Sequence, residues 1–380
     1  MYYLKSRFQC FLFVRRNLVL FSSVLLTITE WYTFFLVSQL SFIIFPIRLG
    51  IIVFILGFIG RVMGSIIFGY VGDKISGRLS ITLVTISIII SSFLLIFLAN
   101  NYYALIISRT LQGLSLGGEW GGASIIVSES FTNSKLRIFI LSLVQLAVPI
   151  GLIISTSVIF LLSLFSIIKL WNYSFLLTII LSVISTTLIL SNFEERRVTS
   201  LVKIPLVDAI RKEWKNVLIA IGIKVSESSN FYIFTSYVFS QSVSTNLISS
   251  VVLISILTQL ITMPFFGYLA NSIGRKIILT LGLIIFALGS LFLKSDLLLG
   301  ELLLSISDSA LYSPQSSLFV DLFDKKYRYT TTNFSYQLAS IIGGSLSPSL
   351  LALTHLQVIQ IVIPYILASF ICLLLIGYRN

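Results

Sequence analysis

Phe68-Gly-Tyr-Val-Gly-Asp-Lys-Ile-Ser-Gly-Arg78 separates two long apolar runs, and a near copy, Phe266-Gly-Tyr-Leu-Ala-Asn-Ser-Ile-Gly-Arg-Lys276, separates two more. Each copy ends an apolar segment on small residues, turns within a few polar positions, and starts the next. So short a turn makes the flanking helices antiparallel, and its glycines let two backbones approach closely. The recurrence implies two similar halves. Other echoes fall at one common spacing: Glu129-Ser-Phe131 with Asp321-Leu-Phe323, Gln145-Leu-Ala147 with Gln337-Leu-Ala339, and Gly151 with Gly343. They mark a parallel internal repeat, as expected of two bundles facing each other across an axis along the membrane normal.

The composition says what surrounds these halves. Hydrophobic residues make up 57% of the 380 positions and charged ones 11%, with a mean hydropathy of +1.02. Soluble chains carry about 25% charged residues, so the solvent here is a bilayer. Reading the apolar runs as spans gives an all-α membrane protein of twelve helices, the first at Leu18–Leu40 and the last at Gln357–Gly377. The fifth is expected at Ile138–Leu164, the tenth at Leu297–Val320 and the eleventh at Asn333–Leu353, most near the roughly 20 residues that cross the hydrocarbon core. The first run is too long for a signal peptide and lacks a small-residue cleavage site, so it stays as helix one. The polar stretch 192–215 reads as a linker between an N-terminal bundle, 1–191, and a C-terminal bundle, 216–380. Pro205 followed by Asp208–Lys215 suggests a short surface helix within it.

A net charge of +12 would suggest nucleic acid in a soluble protein. Here the Lys and Arg residues crowd into one set of alternate loops, while the other set holds only Arg48, Lys169 and Lys294. That asymmetry is a topology signal. It places both termini in the cytoplasm of a plasma-membrane protein and argues against nucleic acid. Contact with anionic membrane lipids follows from the same charges. Enzyme constellations are missing: there is no Gly-x-x-x-x-Gly-Lys-Ser/Thr loop, and one histidine, His355, with the distant Cys10 and Cys372 makes no metal set. No cofactor or metal is expected, and the protein reads as a monomer.

Gly69-Tyr-Val-Gly-Asp73-Lys74-Ile-Ser-Gly77-Arg78 resembles the loop 2–3 signature of the major facilitator superfamily, and Arg109-Thr-Leu-Gln112-Gly113 its helix-four signature. Leu116-Gly-Gly-Glu119-Trp-Gly-Gly-Ala123 with Glu129, Glu30-Trp-Tyr32, Gly60-Arg61 and Asn230-Phe-Tyr232 are similar to the metabolite:proton symporter branch, as is Phe323 through Pro348. The resemblance implies two pseudo-symmetric six-helix bundles and proton symport of organic acids or zwitterions by alternating access. It also implies a proton-coupling role for Arg109. Asp73, Lys74, Arg78 and Glu129, with Arg275 in the second copy, are implied as a cytoplasmic gate; Lys74 can equally be a loop anchor in water. Thr33 stands where the branch places an acid, and Asn271 replaces the acid of the second loop copy.

Charges inside spans cost about 2.5–3.5 kcal/mol each on insertion scales, so each needs a reason. Glu30, Arg61, Lys224, Glu227 and Asp308 all lie roughly 12–18 Å into their spans at 1.5 Å per residue, near the midplane where carriers bind substrate. Glu30 is the leading proton carrier, or else a carboxylate paired permanently with a cation. Arg61 offers a planar fork for a substrate carboxylate, or serves as the counter-ion of Glu30. Lys224 and Glu227, three apart, can neutralise each other or open to substrate, and Asp308 can titrate or pair with another helix. Gly117, Gly118, Gly121 and Gly122 read as helix packing, and Gln39, Gln112, Gln145, Tyr232, Tyr237, Gln259 and Gln337 can line a polar route. The most direct reading is a proton-coupled carrier of a small polar metabolite. The alternatives are a proton-independent uniporter or exporter of a sugar or other solute, and a non-transporting membrane sensor.

Overall fold

A computed structural model describes the backbone of residues 2–75, 77–130, 135–192, 205–324, 328–354 and 356–376. It describes their side chains except at 2–20, 23, 69, 72–74, 77–78, 118–130, 140, 143–144, 192, 205, 209 and 328–330. Among the described residues twelve helical spans cross the molecule and there is no strand. The first four are α1 (Tyr2–Ile43), α2 (Ile47–Lys74), α3 (Gly77–Leu98) and α4 (Tyr102–Ser130). The fifth is split into α5 (Arg137–Val144) and α6 (Ala147–Leu164), and the sixth is α7 (Phe175–Asn192). The second half starts with α8 (Pro205–Thr235), α9 (Thr245–Ile273) and α10 (Arg275–Phe292). Its tenth span is split into α11 (Leu297–Tyr312) and α12 (Gln315–Leu322). The eleventh joins α13 (Arg328–Ala339) to α14 (Leu346–Leu353) through a π-helical stretch, Ser340–Ser345, and α15 (Val358–Leu375) is the twelfth.

The expected spans five, ten and eleven are therefore interrupted, and prolines explain where. Pro149 cannot donate to Gln145, and the ladder opens at Gln145–Leu146. Pro314 stops α11 after Tyr312, and Pro348 follows the wide turns around Gly343–Gly344. Pro205 opens α8, which bends at Glu213. Among the described residues, eight helices are individually long and apolar enough to cross a bilayer; the pieces of the broken tenth and eleventh spans are not among them.

The same packing recurs in both halves. In the first, α2 and α3 lie on α4, α1 on α6 and α7, and α3 on α7; in the second, α9 and α10 lie on α11, α8 on α13 and α15, and α10 on α15. The halves meet where α5 and α6 face α9 and where α2 faces α13. Polarity is inverted relative to a soluble protein: Phe97, Ile261 and Leu374 point outward while Glu30, Arg61, Arg109, Lys224 and Asp308 are sealed inside, as hydrocarbon surroundings demand. Many serines and threonines return their hydroxyl to the carbonyl four residues back, as Ser38, Ser41 and Ser92 do. Others do cross, among them Thr85 to Thr186 and Ser229 to Ser347.

Candidate functional site

A narrow cleft between the halves has a cavity volume of only about 10 Å³, far below the range of ligand pockets. Trp31 and Arg61 line it from the first half, and Lys224, Glu227, Tyr232, Tyr312 and Tyr336 from the second. All of these are buried.

Arg61 reaches across the interface from α2. Its Nε donates to Gln337 Oε1 at 2.8 Å and its Nη1 to the Tyr232 hydroxyl at 2.7 Å. The rings of Trp31, Phe34, Phe58 and Tyr336 surround the guanidinium at 5.0–5.8 Å, a favourable cage for a cation. Among the described residues no carboxylate forms a salt bridge with Arg61, so it is not the counter-ion of Glu30. The Trp31 indole N–H, also at the cleft, has no acceptor among the described residues. Lys224 faces it from α8, paired with Glu227 and lying over the Tyr336 and Tyr312 rings at 4.0 and 4.8 Å.

Other expected site residues stand back from the cleft. Glu30 accepts from Ser115 Oγ at 3.0 Å inside the first half. Asp308 lies behind Lys224, accepting from Gln259 Nε2 at 3.0 Å, and acts electrostatically on both Lys224 and Glu227. Arg109 donates to the carbonyls of Val53 and Phe34, to Gln112 and to Ser38, and stacks on the Phe34 ring at 4.0 Å. It ties α4 to α1 and α2. Thr33 donates to Thr29 O and pairs with Thr178, leaving no titratable group at that point.

At one end of the molecule Asp321 accepts from Arg275 at 2.7 Å and from Arg137 at 2.9 Å. Arg275 thus sits in an ionic cluster that spans the halves. The side chains of Asp73, Lys74, Arg78 and Glu129 lie outside the described residues. So do those of Glu119 and the surroundings of Gly118, Gly121 and Gly122. Gly117 packs against α2 so closely that a methyl group there would sit 2.0 Å from the Arg61 carbonyl oxygen.

Tyr312 and Tyr336, with Arg137 and Asp321, escaped the sequence reading. The tyrosines carry no signal in a chain with 16 of them. Asp321 did carry one, as the repeat partner of Glu129. The repeated glutamines both bridge the halves: Gln337 takes Arg61, and Gln145 Nε2 donates to Tyr312 O at 3.0 Å and Ser316 Oγ at 3.1 Å, at the break in the tenth span.

Comparison with known proteins agrees with this architecture. The family model for "Sugar (and other) transporter" matches residues 13–193, and that for "Major Facilitator Superfamily" matches residues 217–379. The inner membrane metabolite transport protein YhjE of Escherichia coli (strain K12) is 27% identical, over 89% of this chain and 87% of that one. The shikimate transporter of the same strain is 26% identical, over 78% and 75%. A crystal structure of a D-xylose–proton symporter superposes with a TM-score of 0.71 over 94% of this chain and 96% of that one, at 15% identity, a likeness of fold. With family models covering both halves and the same packing repeated in each, the chain belongs to the major facilitator superfamily, as a multi-pass membrane transporter of metabolites.

Proposed function

We propose that this transporter carries a small carboxylate-bearing metabolite together with protons, by alternating access about the cleft. The observation that carries the reading is Arg61: a buried cation held, among the described residues, by neutral groups and aromatic rings alone, at the interface between the two halves. Burying a charge without an opposite charge is costly, and a substrate carboxylate supplies one. Its planar fork suits two parallel bonds to such a group, and the Trp31 N–H adds a donor. The aromatic walls favour a compact substrate with an apolar or ring-like body, of the organic-acid kind named for the shikimate transporter.

Coupling follows from charge balance. Lys224 is matched by Glu227, so Arg61 leaves the cleft one positive charge in excess. An ionised Asp308 behind Lys224 cancels that excess, and a protonated Asp308 restores it. Proton binding therefore favours the anion, and proton loss favours its release. Glu30 plays the matching part in the first half, within reach of Ser115. In this reading the basic loops and both termini face the cytoplasm, and the bundles 1–191 and 216–380 rock about the linker 192–215. The Arg137–Asp321–Arg275 cluster closes the inner side. One chain carries the whole cleft, so a monomer suffices.

The test is uptake by proteoliposomes against labelled organic acids and zwitterions, with and without an imposed pH difference. Accumulation of a carboxylate driven by an inward proton gradient, lost in Glu30→Gln or Asp308→Asn at normal membrane insertion, supports the proposal. Uptake indifferent to the gradient rejects coupling. Proton-independent uniport is then the reading, and the hydrogen-bonded, neutral Thr33 at the first-helix position favours it.

A further inference from the structure

One buried acid takes no part in the cleft or the gate. Glu301 lies about 6 Å along α11 from Leu297, at 1.5 Å per residue, and is fully buried. Among the described residues neither of its carboxyl oxygens has a hydrogen-bond partner and it joins no salt bridge.

Among the described residues, nothing packed around α11 neutralises it. α9 contains no acidic or basic side chain, and α10 bears Arg275 and Lys276 only at its opposite end. Within the membrane α8 offers Lys224 and Glu227, which pair with each other. At the outer turn Lys294 donates to Leu356 O at 3.1 Å, and Asp296 caps the helix through Leu299 N at 3.0 Å.

The internal repeat sharpens the contrast. Glu301 follows Arg109 at the same spacing that relates Gln145 to Gln337 and Gly151 to Gly343. Arg109 is equally buried, yet carbonyls and side-chain oxygens are aimed at its guanidinium. One half thus holds a permanent charge at this level. The other holds a group that can shed its charge, and an isolated ionised carboxylate is far costlier to bury than the neutral acid.

Toward the centre, Glu301, Ser305 and Asp308 follow at i, i+4 and i+7, on one face of the helix. The two acids are about 10 Å apart along the axis. Ser305 Oγ donates to Ser255 O at 2.5 Å and lies 3.3 Å from Thr258 Oγ1. Asp308 keeps one oxygen, Oδ1, without a protein partner.

We propose that Glu301 is a proton-binding site of the second half, separate from Asp308: a proton from the aqueous phase adds to its carboxylate and returns to that phase when the acid ionises. The part of this site in coupling rests on the symport reading above; proton binding at Glu301 does not.

Infrared titration of the full-length protein in lipid tests this without a substrate. The parent shows carboxylic-acid C=O bands that shift in heavy water. Glu301→Gln loses one of these bands, Glu301→Asp keeps it, and Asp308→Asn loses a different one. Bands in Glu301→Gln identical to the parent at every pH overturn the proposal, and the Glu301→Asp protein separates loss of the acid from loss of the fold. If uptake is proton-driven while the Glu301 band is missing from the parent, only this inference falls. If the band is present and uptake ignores the gradient, the symport reading falls and the site stands.

Discussion

Two guanidinium groups share the Phe34 ring, Arg109 at 4.0 Å and Arg61 at 5.2 Å, and they differ in what else holds them. Arg109 is tied to backbone carbonyls within its own half, whereas Arg61 crosses to the other half with two neutral partners. Charged hydrogen bonds are worth about 1.5–3 kcal/mol each. Arg61→Gln is therefore expected to raise the half-saturating carboxylate concentration by roughly 10–100-fold, measured as concentration-dependent uptake. Arg61→Lys recovers part of this, because an ammonium cannot serve Gln337 and Tyr232 as a flat fork does. Arg61, Lys224, Glu227 and Asp308 were legible in the sequence because a charge inside an apolar run stands out. The aromatic wall was not: among 30 phenylalanines and 16 tyrosines, only packing tells which rings meet a cation. Nor did the sequence tell that Arg61 would bond Gln337 rather than Glu30. That choice depends on how two halves far apart in the chain dock.

Helix existence was readable from hydropathy, but continuity was not. Pro149, Pro314 and Pro348 coincide with broken spans, while Pro264 and Pro364 lie inside unbroken helices, so proline alone does not decide. Tertiary partners do: Gln145 satisfies carbonyls at the break in the tenth span, and Gly343 and Gly344 let the widened turn press against α8. The α2–α4 contact is the tightest part of the first half. A methyl group at Gly113 would lie 2.1 Å from Gly57 O, and one at Gly117 would meet Arg61 O. Asn333 also donates to Gly117 O from the other half, at 3.1 Å. Gly117→Ala is expected to cost about 1–3 kcal/mol by overpacking, seen as a lower melting temperature of the purified protein in detergent. It should also weaken transport, because it displaces the backbone that carries Arg61.

For the molecule as a whole, the charge balance of the cleft makes a signed prediction. Lower external pH protonates the acids behind the cleft and should lower the half-saturating concentration of a carboxylate substrate; in Asp308→Asn, fixed in the neutral form, that dependence should flatten. The measurement is initial uptake at several external pH values. The ionic cluster at the Arg137 end makes another. Asp321 is 38% exposed, and exposed pairs contribute about 0–1 kcal/mol each. Asp321→Asn or high salt should therefore shift the closed–open balance by only a few-fold, read as faster labelling of Ser340→Cys by an impermeant maleimide added from that side. The cluster is also lopsided. Arg275 and Asp321 belong to the same half, so only the Arg137 contact must let go when the halves part there. Under the alternating-access proposal the acid would keep its Arg275 partner when the Arg137 contact opens, so no bare carboxylate would have to be rehydrated as the halves part.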